Sequence, residues 1–249
     1  MSPSALDAHE KREFARELKF LVDTAKAAAI RSWAREHLIC DPNARGPEGD
    51  TYDIASIYFD NDLLDVFHHR RRLHHSKFRI RRYGAATVFL ERKLKIRGRL
   101  AKRRTAIAPD ELARLHAEPD AAWPGRWFQR KITGRQLHPV CQIAYSRTAR
   151  VLMTPSGPIR LTLDESIRAT PAGDIAFRER PGVWTPICDR VVLEFKFRRD
   201  LPALFREAAE RFVLTPQPFS KYRAAVVALG IAPAAATTPE EDVLQCQTS

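Results

Sequence analysis

The sequence predicts an α+β protein in which seven or eight strands form an antiparallel barrel or sandwich with accessory helices. Three observations predict it. Runs with alternating apolar and polar residues recur along the chain, mostly separated by short turns or loops. Helical periodicity is confined to a few short segments, and no internal repeat is seen. The 249 residues are 44% hydrophobic, which suits one domain or one large barrel with a real core.

Residues 1–12 are polar and predicted to be loose. ELKFLV (17–22) alternates as a strand, with Glu17, Lys19 and Leu21 on one face and Leu18, Phe20 and Val22 on the other. TAKAAAIRSWAREHL (24–38) is Ala-rich and carries Ile30, Trp33, Ala34 and Leu38 at helical spacing. DPNARGPEGD (41–50) is a Pro/Gly-rich loop, and IASIYFD (54–60) is a second strand. KFRIRRYG (77–84) and TVFLERKLKIRG (87–98) read as neighbouring strands joined by a turn around Gly84. DELARLHAE (110–118) is a short helix, and 140–153, 158–167 and 190–197 are further strands. DLPALFREAAERFVL (200–214) is a helix with Asp200 placed to cap it. SKYRAAVVALG (220–230) is another, with Ser220 as N-cap and Gly230 as its stop. The remainder, 231–249, is Ala/Thr/Pro-rich at its start and predicted to be disordered, which leaves 13–230 as the folded domain.

Charge narrows the function. The chain carries 42 Lys and Arg against 30 Asp and Glu, for a formal net charge of +12. Residues 70–104 hold 15 of those cations and one acid, Glu91, so the whole excess sits in one segment and marks a focused anion site. Cys40, Cys141, Cys188 and Cys246 are far apart, which indicates neither a zinc site nor a disulfide framework. The first residues lack the apolar core of a signal peptide, and the longest apolar run, 224–236, is interrupted by Gly230 and Pro233. A soluble, cytoplasmic protein with no membrane segment of its own is expected, which leaves room for a separate membrane partner.

Several strands place charge opposite their apolar face. Glu91, Lys93, Lys95 and Arg97 share one face, as do Lys77, Arg79 and Arg81. Glu194 and Lys196 do the same in VVLEFKF, and Arg160, Thr162 and Asp164 in PIRLTLDE. A closed barrel turns one face of every strand inward. With the polar face inward, Lys and Arg line a lumen with a few carboxylates, and the apolar faces pack outward against helices. Unpaired buried cations are too costly to form a core, so such a lumen needs a polyanion. Its carboxylates could hold a divalent cation against the same phosphates.

The blocks ELKFLV, SIYFDN, KFRIRRYG, FLERK, YSRTA, LTLDESI, VLEFKF and FSKYR occur in the order expected of the vacuolar transporter chaperone (VTC) domain, which the chain resembles over about residues 13–229. That domain is the polyphosphate polymerase branch of the triphosphate tunnel metalloenzymes. The resemblance implies an eight-stranded antiparallel tunnel barrel that transfers the terminal phosphoryl group of ATP to a growing polyphosphate chain, assisted by Mn²⁺ or Mg²⁺. It implies phosphate contacts from Lys19, Arg79, Arg81, Lys93, Arg147, Ser220 and Lys221, with Glu194 as the metal-binding glutamate. Lys95 and Lys196 join the phosphate-binding set from the same faces, and Arg79, Arg81, Lys93 and Arg147 are the candidates for the catalytic work. Lys102 or Arg103 stands where a further lysine is expected past the hairpin.

Alternatives remain open. Glu17 is a second candidate metal ligand or a partner of Lys19, and Asp164 is similar. Simple alternation groups Arg147 with Ile143 and Tyr145, so a bulge or the register must give. His68, His69, His74 and His75 read as part of the exposed basic flank rather than a metal site. The expected ligands are ATP and polyphosphate. A tunnel triphosphatase or nucleotidyl cyclase is the alternative that a Glu-x-Glu pair would favour, and Glu17-Leu18-Lys19 lacks that pair. A non-catalytic binder of polyphosphate or nucleic acid is the third reading. Stable nucleic-acid binding is not expected, because Phe78, Tyr83 and Phe89 are a small stacking set.

Overall fold

The computed structural model describes residues 16–42, 44, 49–70, 73, 76–84, 87–96, 99–179 and 184–232; the side chains of residues 95–100 lie outside that description. The predicted loose N-terminus and, beyond Ala232, the predicted disordered tail also lie outside it, as do His74 and His75.

Strand β1 (Arg16–Val22) leads into helix α1 (Thr24–His37), whose N-cap Asp23 accepts a 2.7 Å hydrogen bond from the Lys26 amide. Two-residue β2 (Ile39–Cys40) precedes β3 (Thr51–Asp60), β4 (Ser76–Tyr83), β5 (Thr87–Ile96) and β6 (Arg99–Ile107). A 3₁₀ helix (Pro109–Leu115) and α2 (Arg126–Thr133) follow, then the long strands β7 (His138–Thr154) and β8 (Gly157–Pro171). Short β9 (Thr185–Pro186), β10 (Val191–Phe197), α3 (Ala203–Arg211) and α4 (Lys221–Ala228) complete the order. Ser220 caps α4 as the sequence requires, its hydroxyl accepting from the Arg223 amide, and Gly230 takes a φ of 67° just past the helix end.

All paired strands are antiparallel, in the order β1-β10-β8-β7-β3-β4-β5-β6, with β2 on β7 and β9 on β8. Eight strands therefore follow one another as the tunnel barrel requires, but the expected closure is absent among the described residues. No hydrogen-bonded ladder joins β1 to β6. The sheet curls instead, far enough that Lys93 on the seventh strand of that order meets Glu17 on the first at 3.3 Å. Side chains, not backbone, hold the ends together.

The apolar faces turn outward as expected. Phe20, Leu161, Leu163, Leu193 and Phe195 pack under α1 and α3 in one cluster, where Phe195 stacks on Phe205 at 4.2 Å. On the other wall Phe59 and Phe78 meet Phe128 of α2. Helix α4 takes a different place: Tyr222 stacks on Tyr58, which shares its face with Arg79, so α4 enters the concave side.

The structure corrects or extends the local reading at four places. β6 is a strand that alternation does not announce, because Lys102 and Arg104 lie on one face and Arg103 on the other, leaving no polar-versus-apolar period to read. The segment 110–118 forms 3₁₀ rather than α structure, over Pro109–Leu115. Helix α3 starts at Ala203 with Pro202 at its N-cap and no side-chain cap, so Asp200 does not cap it; an extended Pro202 leaves the aspartate outside the first turn. Helix α2 is an addition, built on Phe128 and Ile132 buried one turn apart.

Candidate active site: the concave face of the curled sheet

Directly opposed residues in an antiparallel pair point to the same side. The registers Tyr58↔Arg79↔Glu91↔Arg104 and Ser56↔Arg81 on one wall, and Lys19↔Glu194↔Thr162 and Arg147↔Asp164 on the other, therefore define one inner face. Among the described side chains that face gathers Lys19, Lys77, Arg79, Arg81, Lys93, Lys102, Arg104, Arg147, Arg160 and Lys196, with Lys221 entering from α4. Against these stand the carboxylates of Glu17, Glu91, Asp164 and Glu194.

On the β4–β5–β6 wall Glu91 is the hub. It is 1% exposed and lies 2.6 Å from Arg79 Nε, 2.9 Å from Lys102 Nζ, 3.5 Å from Arg104 Nε and 4.0 Å from Arg81 Nε. Burial opposes its charge, but Arg79, Lys102, Arg81 and Arg104 together hold the carboxyl well below the usual carboxylate range. Arg79 also donates to the Tyr58 hydroxyl (3.0 Å), and Arg81 to Ser56 Oγ (3.1 Å) and the Tyr145 hydroxyl (3.0 Å). Both guanidiniums are thus fixed in place. Tyr83 sits beside them; burial raises its phenol, yet the attraction of Arg81, Lys102 and Arg104 outweighs it and brings the group down to about 7.

On the opposite wall Arg147 forks onto Asp164, Nε to Oδ1 at 2.6 Å and Nη2 to Oδ2 at 2.7 Å. Lys221 shares the same carboxylate at 2.6 Å. Lys196 bonds Glu194 at 2.5 Å, and Lys19 bonds Glu17 at 3.2 Å. Burial again works against each carboxylate; Lys93 leads the cations that keep Glu17 low, Lys196 and Lys221 those at Glu194, and Arg147 those at Asp164. Burial pushes Lys196 down to about 8, with Glu194 and Glu17 opposing the shift. Lys93 is also lowered by burial, partly offset by Glu17.

The segment before α4 closes on this face. Lys19 Nζ donates to the Phe219 carbonyl at 2.8 Å, Lys77 Nζ to Ser220 Oγ at 2.9 Å, and the Gln217 amide to the Lys19 carbonyl. Ser220 is therefore a helix cap and part of the concave face at once.

The structure thus brings together Lys19, Arg79, Arg81, Lys93, Arg147, Lys196, Ser220, Lys221, Glu17 and Glu194. The side chain of Lys95 lies outside the described residues. The choice at the hairpin falls to Lys102, which faces Glu91, while Arg103 opposes Arg92 on the outer face. The difficulty with Arg147 also resolves. Its alternation with Tyr145 and Ile143 holds against β3, so the inner face is partly apolar there. The register shift lies between β7 and β8, where Ser166 has a φ of 51°, and it sets Asp164 instead of Glu165 opposite Arg147. Tyr145, Tyr58 and Arg104 were not singled out from sequence; Arg104 carried the readable signal, two residues beyond Lys102. Arg160, which pairs with Asp41 at 2.7 Å and donates to the Tyr52 hydroxyl, was read only as part of an alternating face.

Among the described residues no three His, Cys, Asp or Glu cluster in a metal-ligating group. No helix among them is long and apolar enough to cross a membrane. His68 packs edge-on against Phe67 and is kept below its ordinary pKa by burial and Arg70.

Comparison with known proteins bears on the fold and the family. No protein of curated function matches the chain. A Bacillus halodurans structure assigned provisionally as an adenylate cyclase is similar at a TM-score of 0.53 and 17% identity, covering 84% of this chain and 94% of that one, which shows a shared fold. The PH1819 protein of Pyrococcus horikoshii OT3 is a more distant likeness, at a TM-score of 0.38 and 14% identity over 80% of this chain and 86% of that one. The VTC domain matches residues 14–229, nearly the whole described chain. The chain belongs to the VTC domain family and is a triphosphate-tunnel protein.

Proposed function

We propose that this chain is a polyphosphate polymerase that extends a polyphosphate chain with the terminal phosphoryl group of ATP. The observation that carries the reading is the surplus of fixed cations over carboxylates along one continuous inner face. Partly buried cations in such excess are stabilised by a multivalent anion among them. A linear phosphate chain supplies charge at every unit and needs no base recognition.

Phosphoryl transfer asks for positioning and charge neutralisation rather than a covalent intermediate. A terminal oxygen of the acceptor chain attacks the γ-phosphorus of ATP; the bond from that phosphorus to the β–γ bridging oxygen breaks, and its electrons leave with ADP. Arg79 and Arg81, held by Tyr58, Ser56 and Tyr145, present N–H groups to the transferred phosphoryl without reorganising. Lys93 and Lys196 act as point charges along the chain. Arg147 and Lys221 exchange part of their hold on Asp164 for phosphate oxygens.

The donor set suits a divalent metal carried in with the phosphates, since Mg²⁺ commonly uses one or two carboxylates plus substrate oxygens. Glu194, kept ionised by its lysines, would hold Mn²⁺ or Mg²⁺, with Glu17 as the second oxygen donor. Such an ion would neutralise charge between phosphate oxygens.

A second reading has one specific support: the Bacillus halodurans neighbour is provisionally assigned as an adenylate cyclase, so a tunnel enzyme acting on a nucleoside triphosphate is the alternative. Purified protein with ATP, Mn²⁺ and a trace of pyrophosphate, run on a gel stained for polyphosphate, separates the two. A ladder abolished by Arg79→Ala/Arg81→Ala and by Glu194→Ala supports the polymerase. Phosphate release or cyclic nucleotide without a ladder overturns it.

A further inference from the structure

The strands that send Lys93 and Lys102 inward send their neighbours outward. Arg92 and Arg103 oppose each other directly on the outer face of β5 and β6, and helix α2 brings Lys131 and, just past its end, Arg135 to the same place. Like charges opposed across a strand pair repel. The charges acting on Arg92 are those of Arg135 and Arg103, which add to burial in lowering its pKa. Lys131 is lowered by Arg135, then by burial, Arg92, Arg130 and Arg103.

Nor do the guanidiniums swing freely to relieve the crowding. Arg92 lies over the Phe78 ring at 5.7 Å and donates to Ser76 Oγ at 3.2 Å, and Arg135 lies over the same ring at 6.0 Å. Arg103 lies over the Trp127 indole at 4.3 Å, and that indole is itself anchored to Thr105 Oγ1. Arg92 Nε is buried without a hydrogen-bond partner. Guanidiniums held in place and crowded by like charges attract an anion.

We propose that this outer cluster is a second binding site for a linear phosphate chain, reached from the concave side around the β6 edge. The proposal rests on the reading of the concave side as a phosphate tunnel. β6 ends the strand order among the described residues, so the inner Lys102 and the outer Arg103 are adjacent on the last strand. A long chain passing that edge engages both faces, whereas a free triphosphate is satisfied inside. The competing account is that these cations only guard an exposed edge against pairing with another sheet.

The test uses the full chain and two probes, inorganic triphosphate and long-chain polyphosphate, titrated over a range of salt. In Arg92→Gln/Arg103→Gln/Arg135→Gln, triphosphate affinity is expected to stay within about twofold of wild type. Long-chain affinity is expected to fall roughly tenfold or more, with the salt slope shallower by about two, as three lost phosphate contacts on a single strand imply. Unchanged binding of both probes overturns the proposal in favour of edge protection, and an equal loss of both overturns it in favour of an effect through the concave side. Displacement of polyphosphate from the outer cluster by a single-stranded oligonucleotide at equal phosphate concentration also overturns it. Should the triple variant fail to fold, Arg130→Gln/Lys131→Gln leaves the Phe78 and Trp127 contacts intact; a loss confined to the long chain supports the site, and no loss overturns it. Triphosphate binding in Arg79→Gln/Arg81→Gln is read separately. Its survival there defeats the tunnel reading, while the outer variant still reports on the outer site.

Discussion

On the β4–β5–β6 wall a single carboxylate, Glu91, answers to Arg79, Arg81, Lys102 and Arg104, while on the β1–β10–β8–β7 wall Glu17, Asp164 and Glu194 stand among Lys19, Arg147, Lys196 and Lys221. The first wall is far from neutral and the second is nearly balanced. An anion gains most on the first, where cations outnumber the carboxylate and Arg79 and Arg81 are held as fixed forks. Among the described residues, three of the four inner-face carboxylates stand on the second, where fewer cations crowd each one. Under the proposed function, phosphate would dock on the first wall and a metal ion would be held on the second, and Lys93 links the two through Glu17.

The largest expected effect is on the cation-rich wall. Arg79→Ala/Arg81→Ala removes two charge-assisted donors worth about 1.5–3 kcal/mol each. Triphosphate affinity, measured by calorimetry, is expected to drop roughly 10²–10⁴-fold.

Glu91→Gln tests the same wall from the other side. It leaves four cations without their shared carboxylate, and breaking a buried ionic cluster costs about 3–5 kcal/mol. The variant is expected to melt well below wild type, and added triphosphate is expected to restore more stability to it than to wild type. The sign with pH follows: a carboxyl whose folded pKa is depressed gives stability that is fully present above its ordinary value of 4.5 and is lost as pH falls below it. Wild-type melting temperature should therefore fall steeply with acidification, and Glu91→Gln should flatten that fall.

On the balanced wall, Glu194→Gln is expected to leave metal-free triphosphate binding unchanged or tighter, because a negative charge is removed from beside a polyanion. Metal-dependent turnover is expected to fall roughly 10²-fold or more. A variant that loses both equally would erase the distinction between the walls. The smallest effect is at Tyr83, where tyrosinate absorbance should appear near pH 7 and vanish in Tyr83→Phe. Bound triphosphate should move that titration upward by drawing charge from Arg81.

Much of this site was legible locally. Period-two spacing alone put Arg79 with Arg81, Glu194 with Lys196 and Glu17 with Lys19 on single faces, and Ser220 announced the start of α4. β6 was not legible, because cations on both faces erase the alternation that marks a half-buried strand. Asp164 as the partner of Arg147 was not legible either, since one bulge residue decides whether Asp164 or Glu165 points inward.

The sequence by itself determined that a cation-rich face exists, that residues of β1, β4, β5 and β10 share it, and that its charge exceeds what local acids can neutralise. Side-chain alternation and net charge are properties of neighbouring residues, so no folding is needed to read them. Only the tertiary structure decided that Glu91 gathers four cations, that Lys93 reaches Glu17 across an open seam, and that α4 carries Lys221 onto Asp164. Those contacts cross between elements, Lys93 meeting Glu17 across 76 positions of sequence, and strand order, register and curl are set by packing of the whole core under α1, α2 and α3.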